Sequence, residues 1–388
     1  MRFLHTSDWH VGKVLKGHDR LPEQQAVLGE TVRIAREQQV DAVLVAGDLY
    51  ETATPNPAAQ QLVVQTLLAL RDTGAEVVAI AGNHDNAPTL DAYRPLAGAA
   101  GISLVGRVRR PADGGVVELT ARSDGSPLRV AAVPFLSQRW AVRSAELLAN
   151  TPAENSAGYD AWVRQILAML SAGFAPDAVN VVLAHLTVTG AAIDGGGERQ
   201  SQSIFDYHVP AAAFPADAHY VALGHLHRRQ SIPAPCPVHY CGAPLRVDFG
   251  EVDSEPVVLL VEATPATPAR VTEVPVTSAR RLRTLRGTLA ELAAQASTVD
   301  PDDLVKVVVA EPARAGLRED VRELLPGALE VHVARSETGP AKAPDRARTD
   351  RAPADLLRDY LATREVSDPR VEALFARLHE QVLTGEAG

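Results

Sequence analysis

Residues 77–85 read Val-Val-Ala-Ile-Ala-Gly-Asn-His-Asp, an apolar run that stops at a glycine and three polar side chains. Such a run predicts a buried strand, and a glycine lets the backbone turn sharply where the strand ends. In layered α/β proteins, ligands gather at the carboxyl ends of the strands. The stretch therefore predicts an α/β fold with a polar site at one edge of a sheet.

Similar polar clusters occur elsewhere along the chain, most of them directly after a predicted strand. They are Asp8-Trp9-His10, Gly47-Asp48, His185 and Gly224-His225-Leu226-His227. A single Asp-x-His or Gly-Asp pattern is common, and its side chains usually satisfy only local hydrogen bonds. The whole series in order favours one convergent site, although its members span more than half of the chain.

Hydrophobic periodicity predicts the other elements of a core at about residues 1–276. Strands are predicted at Phe3–Thr6, Ala42–Ala46, Val77–Ala81, Val130–Val133, Val179–Ala184, His219–Leu223 and Val257–Val261. Helices are predicted at Glu23–Gln38, Ala58–Asp72 and Tyr159–Leu170. Alternation of such strands and helices is typical of an α/β layered core.

The remainder of the chain predicts smaller units. Residues 277–334 predict a small α+β domain, in which Thr288 and Glu291 form a capping box at the start of a helix. Residues 335–353 lack apolar periodicity and predict a flexible linker, and residues 354–388 predict two short amphipathic helices. Helices of this length are marginal alone in water, so they must pack together, on the core or on another protein. Their apolar faces, the candidate partner-binding surface, carry Leu356, Leu357, Tyr360, Leu374, Phe375 and Leu378.

Composition limits the classes of function. A net charge of −10 argues against a nucleic-acid binder that depends on a broad basic surface, but not against one anchored by metal ions. Cys236 and Cys241 make neither a disulfide framework nor a structural zinc spacing, so we expect them to be structural. No apolar run is long enough to span a membrane, and the first residues do not resemble a signal peptide. We therefore expect a cytoplasmic protein.

The residue types in the clusters suit divalent cations. Carboxylate, imidazole and amide oxygen ligands without thiolate favour manganese, iron or zinc. A pair of such cations can bind both non-bridging oxygens of a phosphate and generate a hydroxide nucleophile from water. The sequence therefore predicts a hydrolase of phosphate esters.

The motifs HTSDWHVG, AGDLYE, AGNHD, LAHLTV and YVALGHLH resemble those of the calcineurin-like metallophosphoesterase superfamily. Within that superfamily, the whole chain resembles the bacterial SbcD nucleases, which work with the ATPase SbcC. That resemblance implies a layered β-sandwich core flanked by helices, with a small α+β capping domain and a C-terminal helix pair that docks SbcC. It also implies a homodimer with manganese-dependent 3'-to-5' exonuclease and endonuclease activity on DNA ends, hairpins and single strands.

The same resemblance assigns roles to individual residues. One metal would be held by Asp8, His10 and His227, the other by Asn83, His185 and His225, with Asp48 as a bridge between them. His84 would stand over the phosphate as the catalytic residue.

The residues around Asn83 allow an interpretation of their own. His84 stands beside the candidate ligand Asn83, and an imidazole with a pKa near neutrality can donate a proton or hydrogen bond to the leaving oxygen. The alternative is that His84 is a neighbour of the ligands that only adjusts their properties. Asp85 is expected to order the turn. Some archaeal relatives carry a histidine shortly after the bridging aspartate, where this chain has Tyr50 and Glu51, and no catalytic part is assigned to that segment.

Short arginine groups are the candidates for DNA contact. They comprise Arg228 and Arg229 beside the last motif, and Arg107 and Arg109 after a strand. On an acidic protein such arginines more often make surface ion pairs. No recognition helix or base-reading module is evident, so binding should depend on the DNA backbone and end structure.

Two other functions compete with a DNA nuclease. A phosphodiesterase or phosphatase of the same fold that acts on a nucleotide or other small molecule would carry the same core motifs. Such an enzyme has no evident use for a linker and a tethered helix pair, and these favour the nuclease. A catalytically inactive scaffold is disfavoured, because every expected ligand and His84 are present.

Overall fold

The structure is a computed structural model that describes residues 1–137, 152–192, 208–333, 357–358, 360–362 and 369–384. Its strands are β1 Arg2–Thr6, β2 Val14–Leu15, β3 His18–Asp19, β4 Ala42–Val45, β5 Glu76–Ile80, β6 Ile102–Val105, β7 Val116–Thr120, β8 Pro127–Val133, β9 Val179–His185, β10 Tyr220–Gly224, β11 Gln230–Ile232, β12 Val238–Tyr240, β13 Val257–Thr264, β14 Thr267–Pro275, β15 Leu282–Gly287, β16 Leu304–Val309 and β17 Ala328–Val333. The α-helices are α1 Leu21–Glu37, α2 Pro57–Arg71, α3 Ala87–Ala99, α4 Pro152–Ser171, α5 Leu289–Ala296, α6 Leu317–Leu324 and α7 Pro369–Thr384.

Two six-stranded sheets build the core. One has the strand order β14-β13-β1-β4-β5-β6, and the other has the order β11-β12-β10-β9-β8-β7. In the first, β1, β4, β5 and β6 run parallel, and in the second, β8, β9, β10 and β12 do so. Parallel strands present their carboxyl ends at the same edge, so each sheet can contribute several loops to a single site.

The two sheets pack face to face, and helices cover their outer faces. Residues with no exposed surface, such as Phe3, Leu44, Val181 and Tyr220, form the layer between the sheets. A second apolar cluster joins the first sheet to α1, α2 and α3, and a third joins the second sheet to α4. The predicted layered α/β sandwich flanked by helices is therefore confirmed.

The three-stranded parallel sheet β15-β16-β17 lies within residues 282–333, together with α5 and α6. Thr288 accepts a hydrogen bond from the backbone of Glu291, whose carboxylate accepts one from Thr288 N–H in return. Leu292 is fully buried in the separate apolar cluster of this sheet. The predicted elements of the small α+β unit are thus present, and its action as a cap on the site stays a prediction.

Direct contacts join this small unit to the core. Leu15 of β2 packs with Phe249, Leu282 and Leu304 in an apolar cluster at the junction. Beside it, Glu30 of α1 accepts hydrogen bonds from the segment between β14 and β15. The hairpin β2–β3 follows His10 closely, so the small unit lies against a segment that carries a candidate ligand.

The chain end is described only in part. The predicted linker 335–353 and Leu356 lie outside the described residues. Leu374 and Leu378 of α7 are 43% and 48% exposed, and Tyr360 is 55% exposed. Among the described helices, none has the length and the continuous apolar character needed to cross a bilayer.

Helix α3 has no counterpart in the sequence prediction. It contains Pro95, which removes one backbone donor and normally signals a helix end, and it buries little beyond Leu90. Asn86 nevertheless caps its start by accepting a hydrogen bond from Thr89 N–H, which offsets part of that cost.

Candidate metal centre

The loops that follow β1 and β4 are tied together along their backbones. Asp8 N–H donates to Gly47 O at 3.0 Å, and His10 N–H donates to Asp48 O at 3.1 Å. These bonds extend the pairing of β1 with β4 beyond the strands themselves. Two of the predicted clusters are therefore held at a fixed distance from each other.

The backbone of the candidate ligands is strained. Asp8, His10, Asp48 and His225 all have positive φ, which L-residues adopt at a cost and which recurs at functional sites. Gly82 is needed for a different reason, since a Cβ there would overlap the carboxylate and backbone of Asp48. Local geometry is thus set by the site rather than by ordinary turn preferences.

The first group of candidate ligands comprises Asp8, His10 and His227, whose ligand atoms lie within 4.8 Å of one another. The Nε2 atoms of His10 and His227 are 3.0 Å apart. The Nδ1 atom of His10 contacts Glu51 Oε2 at 2.9 Å, and that of His227 contacts Glu251 Oε1 at 2.7 Å. Each carboxylate accepts an Nδ1–H, so the Nε2 atoms are the nitrogens that face each other across the candidate site.

The second group comprises Asn83, His185 and His225. Asn83 Oδ1 lies 2.9 Å from His185 Nε2 and 2.8 Å from His225 Nδ1. The other nitrogen of His185, Nδ1, donates to Ala46 O at 2.7 Å, so Nε2 is the nitrogen that faces the candidate site. These side chains come from both sheets, because Asn83 follows β5 and His185 ends β9.

Asp48 lies between the two groups. Its Oδ2 atom is 3.7 Å from His10 Nε2 and 3.5 Å from His185 Nε2. Its Oδ1 atom accepts a hydrogen bond from His84 N–H at 2.8 Å, which fixes the carboxylate plane. One oxygen of Asp48 is therefore directed at both groups at once.

The donor set fits divalent cations. His10, His227 and His185 each use Nδ1–H elsewhere, so their Nε2 atoms converge on the oxygens of Asp48, Asn83 and Asp8. Acceptors packed this closely repel one another unless positive charge lies among them. Nitrogen and oxygen ligands without thiolate match manganese, iron or zinc.

The pKa values of the clustered side chains also indicate that the site attracts positive charge. Burial lowers the pKa of His185, but the carboxylates of Asp48 and Asp8 outweigh burial and raise it to about 9. Burial and the nearby His185 lower the pKa of His225 to about 3, so that ring is neutral at pH 7. Burial raises the pKa of Asp48, but His185 and His10 outweigh it and hold that pKa well below the ordinary value. The cluster attracts a positive charge, from a proton or from a metal ion.

His84 lies at the rim of this cluster. Its ring contacts that of His10 edge-on, with 4.7 Å between the centroids, and its Nδ1 donates to Glu51 O at 2.7 Å. Its Nε2 is therefore the nitrogen available to a substrate. Asp85 accepts hydrogen bonds from the N–H groups of Leu49, Tyr50 and Gly82, consistent with the expected role in ordering the turn.

Comparison with known families and proteins agrees with this geometry. Residues 1–229 match the calcineurin-like phosphoesterase family, and residues 278–365 match the type 5 capsule protein repressor C-terminal domain. The chain belongs to the calcineurin-like phosphoesterases. It is a metal-dependent phosphodiesterase of that family.

Relatives named as the SbcD component of the SbcCD nuclease cover most of this phosphoesterase. The protein from Bacillus subtilis (strain 168) is 38% identical over 290 residues, which are 73% of this chain and 71% of the relative. The protein from Escherichia coli (strain K12) is 32% identical over 306 residues, or 76% of this chain and 73% of the relative. The chain therefore belongs to the SbcD branch of the phosphoesterases.

The candidate DNA-binding arginines of this phosphoesterase differ in their surroundings. Arg229 forms an ion pair with Glu273 at 2.9 Å, and Arg109 forms one with Asp91 at 3.0 Å. Arg107 and Arg228 are exposed. Arg107 follows β6, whose Val105 O accepts a hydrogen bond from Ala81 N–H, so it lies at the same sheet edge as Asn83.

Sequence reasoning missed Glu51 and Glu251, the carboxylates behind His10 and His227. Glu51 belongs to the AGDLYE motif, but some archaeal relatives carry a histidine in this segment, so no role was assigned to a carboxylate there. Glu251 lies in a short 3₁₀ turn, Phe249–Glu251, 24 residues after His227, and no spacing rule connects the two. Residues 247–255 contain other acidic side chains as well, so the sequence offers no signal that distinguishes this glutamate.

Proposed function

We propose that this phosphoesterase hydrolyses DNA phosphodiester bonds with two manganese ions, as the nuclease subunit of a complex with the ATPase SbcC. The observation that carries the proposal is the convergence of two ligand groups on the shared carboxylate of Asp48. The names of the relatives support the nuclease and its partner.

The proposed metal sites follow from the two groups. Asp8, His10 and His227 would hold one ion and Asn83, His185 and His225 the other, with Asp48 common to both. Two bound cations supply charge neutralisation for the phosphate and lower the pKa of a water nucleophile. Hard oxygen ligands mixed with imidazole, without thiolate, suit manganese, iron or zinc, and among these we assign manganese because the chain resembles the manganese-dependent SbcD nucleases.

The proposed general acid is His84. Its Nδ1–H is held by Glu51 O, so Nε2 is the atom that can pass a proton to the leaving oxygen when the ring is protonated. Asp48 Oδ1 accepts from His84 N–H and thereby fixes the acid relative to the shared carboxylate. Proton donation at this position would make departure of the cleaved strand easier.

Contacts to DNA are proposed for the arginines at the same edge. Arg107 is exposed and can approach backbone phosphates, and Arg228 is exposed directly after the last metal-ligand motif. Arg109 and Arg229 would first have to exchange their present carboxylate partners for phosphate. Because contacts to backbone phosphates carry no sequence information, we expect little dependence on DNA sequence.

A homodimer is proposed from exposed apolar side chains on two helices that pack on the same core cluster. On α2, Val64 and Leu68 are 49% and 41% exposed, and on α3, Tyr93 and Leu96 are 43% and 72% exposed. Leu68→Asp with Leu96→Asp should halve the mass measured by light scattering. An unchanged mass would contradict this dimer surface.

The alternative, a small-molecule or nucleotide phosphodiesterase, uses the same metal centre, so the substrate must be tested directly. The purified chain with Mn²⁺ would be incubated with end-labelled duplex, hairpin and single-stranded DNA, and in parallel with bis-p-nitrophenyl phosphate. We expect shortening of the duplex from its 3' ends and opening of the hairpin. Hydrolysis of the small phosphodiester with every DNA left intact would support the alternative.

A further inference from the structure

Glu51 makes three contacts that converge on the metal centre. Its N–H donates to Val11 O at 3.1 Å, and its Oε2 contacts His10 Nδ1 at 2.9 Å. Its own carbonyl oxygen accepts from His84 Nδ1 at 2.7 Å. One residue therefore holds a candidate ligand through its side chain and the candidate acid through its main chain.

The Glu51 carboxylate is itself fixed. Lys13 Nζ lies 2.9 Å from Oε1, which leaves Oε2 for His10. The side chain of Glu51 is only 19% exposed, so water competes weakly for these contacts. Both carboxylate oxygens of Glu51 therefore have a partner. Lys13 and the backbone hydrogen bond of Glu51 to Val11 hold the carboxylate in position.

We propose that Glu51 is a positioning residue that sets the tautomer and orientation of His10 and His84 together. Its carboxylate keeps the proton of His10 on Nδ1 and presents Nε2 to the metal site. Its carbonyl does the same for His84 and presents Nε2 to the leaving oxygen. Glu51 then acts together with Asp48, which accepts from His84 N–H, to set the spacing between the metal site and the acid.

This assignment rests on the proposed metal sites and extends them, because a carboxylate behind an imidazole ligand raises ligand basicity and fixes its ring. Glu251 is the corresponding clamp on His227, but its main chain has no hydrogen bond to His84 among the described residues. Among the described residues, Glu51 contacts the Nδ1 atoms of both His10 and His84, whereas Asp48 faces His10 Nε2 and accepts from the His84 N–H.

The test compares Glu51→Ala and Glu51→Gln with the wild-type full chain. After chelator treatment, Mn²⁺ affinity is measured by calorimetry, and histidine tautomers of the metal-free protein are read by ¹⁵N NMR. Glu51→Ala should weaken Mn²⁺ binding by roughly 10–100-fold, the usual loss for such a partner. The His10 ring should then populate the Nε2-protonated tautomer, whereas His84 keeps its proton on Nδ1 because the carbonyl remains.

Glu37→Ala is the matched control for loss of one carboxylate. Glu37 is the last residue of α1, whereas Gln24 near the start of that helix contacts His10 O. At about 1.5 Å per residue, roughly 20 Å separates them along the helix. We expect wild-type Mn²⁺ affinity and tautomers in this control.

Unchanged Mn²⁺ affinity and an unchanged His10 tautomer in a folded Glu51→Ala variant would overturn the proposal, even if its melting temperature fell. If Glu51→Ala does not fold, Glu51→Gln decides, since it keeps the shape of the side chain but removes the negative charge that raises the basicity of His10, whichever way the amide is turned. Wild-type affinity in that variant would also refute the role. Neither readout uses DNA, so a wild-type chain that fails to cut DNA would overturn the proposed function alone.

Discussion

The Nε2 atoms of His10 and His227 lie 3.0 Å apart, although 217 residues separate the two histidines in the chain. Both rings give their Nδ1–H to a glutamate, so both Nε2 atoms present lone pairs to the same point. Two such lone pairs repel each other without a cation or proton between them. A proton or a metal ion between the two Nε2 atoms removes that repulsion, so the folded chain favours a cation at this point.

A first prediction follows for stability. Mn²⁺ should bind the folded centre, whereas the unfolded chain offers no preformed site. Bound Mn²⁺ should therefore raise the melting temperature. At a free Mn²⁺ concentration of about 100 times Kd, one site contributes about 2.7 kcal/mol. Scanning calorimetry of chelated protein with and without Mn²⁺ measures the shift, with K⁺ at equal ionic strength as the control. Equal melting temperatures would argue against a metal centre.

A second prediction separates chemistry from binding at His84. His84→Ala should keep both metal ions and DNA affinity but slow turnover by roughly 10²–10⁴-fold, the scale of a lost general acid. A substrate with a better leaving group should recover part of that loss. Equal defects on good and poor leaving groups, or loss of a metal ion, would assign His84 to ligand tuning or ligation instead.

A third prediction concerns the junction between the core and the small α+β unit. Glu30 accepts hydrogen bonds from the N–H and hydroxyl groups of Thr277 and Ser278, at 2.7–2.9 Å. Glu30→Gln replaces one acceptor with a donor that faces other donors, which should cost about 1–3 kcal/mol of unfolding free energy. The exposed i,i+4 partner of Arg33, Glu37, is the control, and Glu37→Gln should cost less than about 0.5 kcal/mol.

The difference in unfolding free energy between wild type and Glu30→Gln should depend on pH with a defined sign. Burial raises the pKa of Glu30, but the hydrogen bonds from Ser278 and Thr277 outweigh it and lower the pKa below the ordinary value. The stabilisation that the ionised Glu30 provides is therefore complete above the unfolded-state pKa of about 4.3 and is lost as pH falls through the folded-state pKa. Urea unfolding of wild type and Glu30→Gln should differ most near pH 7 and converge in acid. A difference that grows in acid would contradict this assignment.

The candidate site could be predicted from the sequence because each candidate ligand stands at the end of a strand or within a few residues after it. Asp48 and Asn83 stand beside glycines at the ends of buried runs, and parallel strands bring such positions together. Glu251 could not be predicted in the same way, since its contact with His227 depends on how a 3₁₀ turn packs in the folded protein. Helix α3 was missed because Pro95 looks like a helix end, whereas an Asn86 cap and burial of Leu90 maintain it.

A fourth prediction tests the C-terminal arm. Leu374 and Leu378 are exposed on α7, which suits a partner surface better than packing on the core. Leu374→Asp with Phe375→Asp, or deletion after Thr338, should leave a folded nuclease that loses most association with SbcC in gel filtration. Ala373→Asp is a control, because residue 373 lies on the opposite side of the helix. Unchanged association would refute docking, and a collapse of the melting temperature would favour packing on the core.

The central claim is that one carboxylate serves two metal ions in a phosphodiesterase. The most direct test counts bound manganese in wild type and Asp48→Ala while both are assayed on end-labelled DNA and bis-p-nitrophenyl phosphate. We predict that Asp48→Ala loses metal and hydrolyses neither substrate, because nucleophile activation and charge neutralisation fail together. Full two-metal occupancy with near-wild-type turnover in Asp48→Ala would contradict the shared carboxylate and the mechanism built on it.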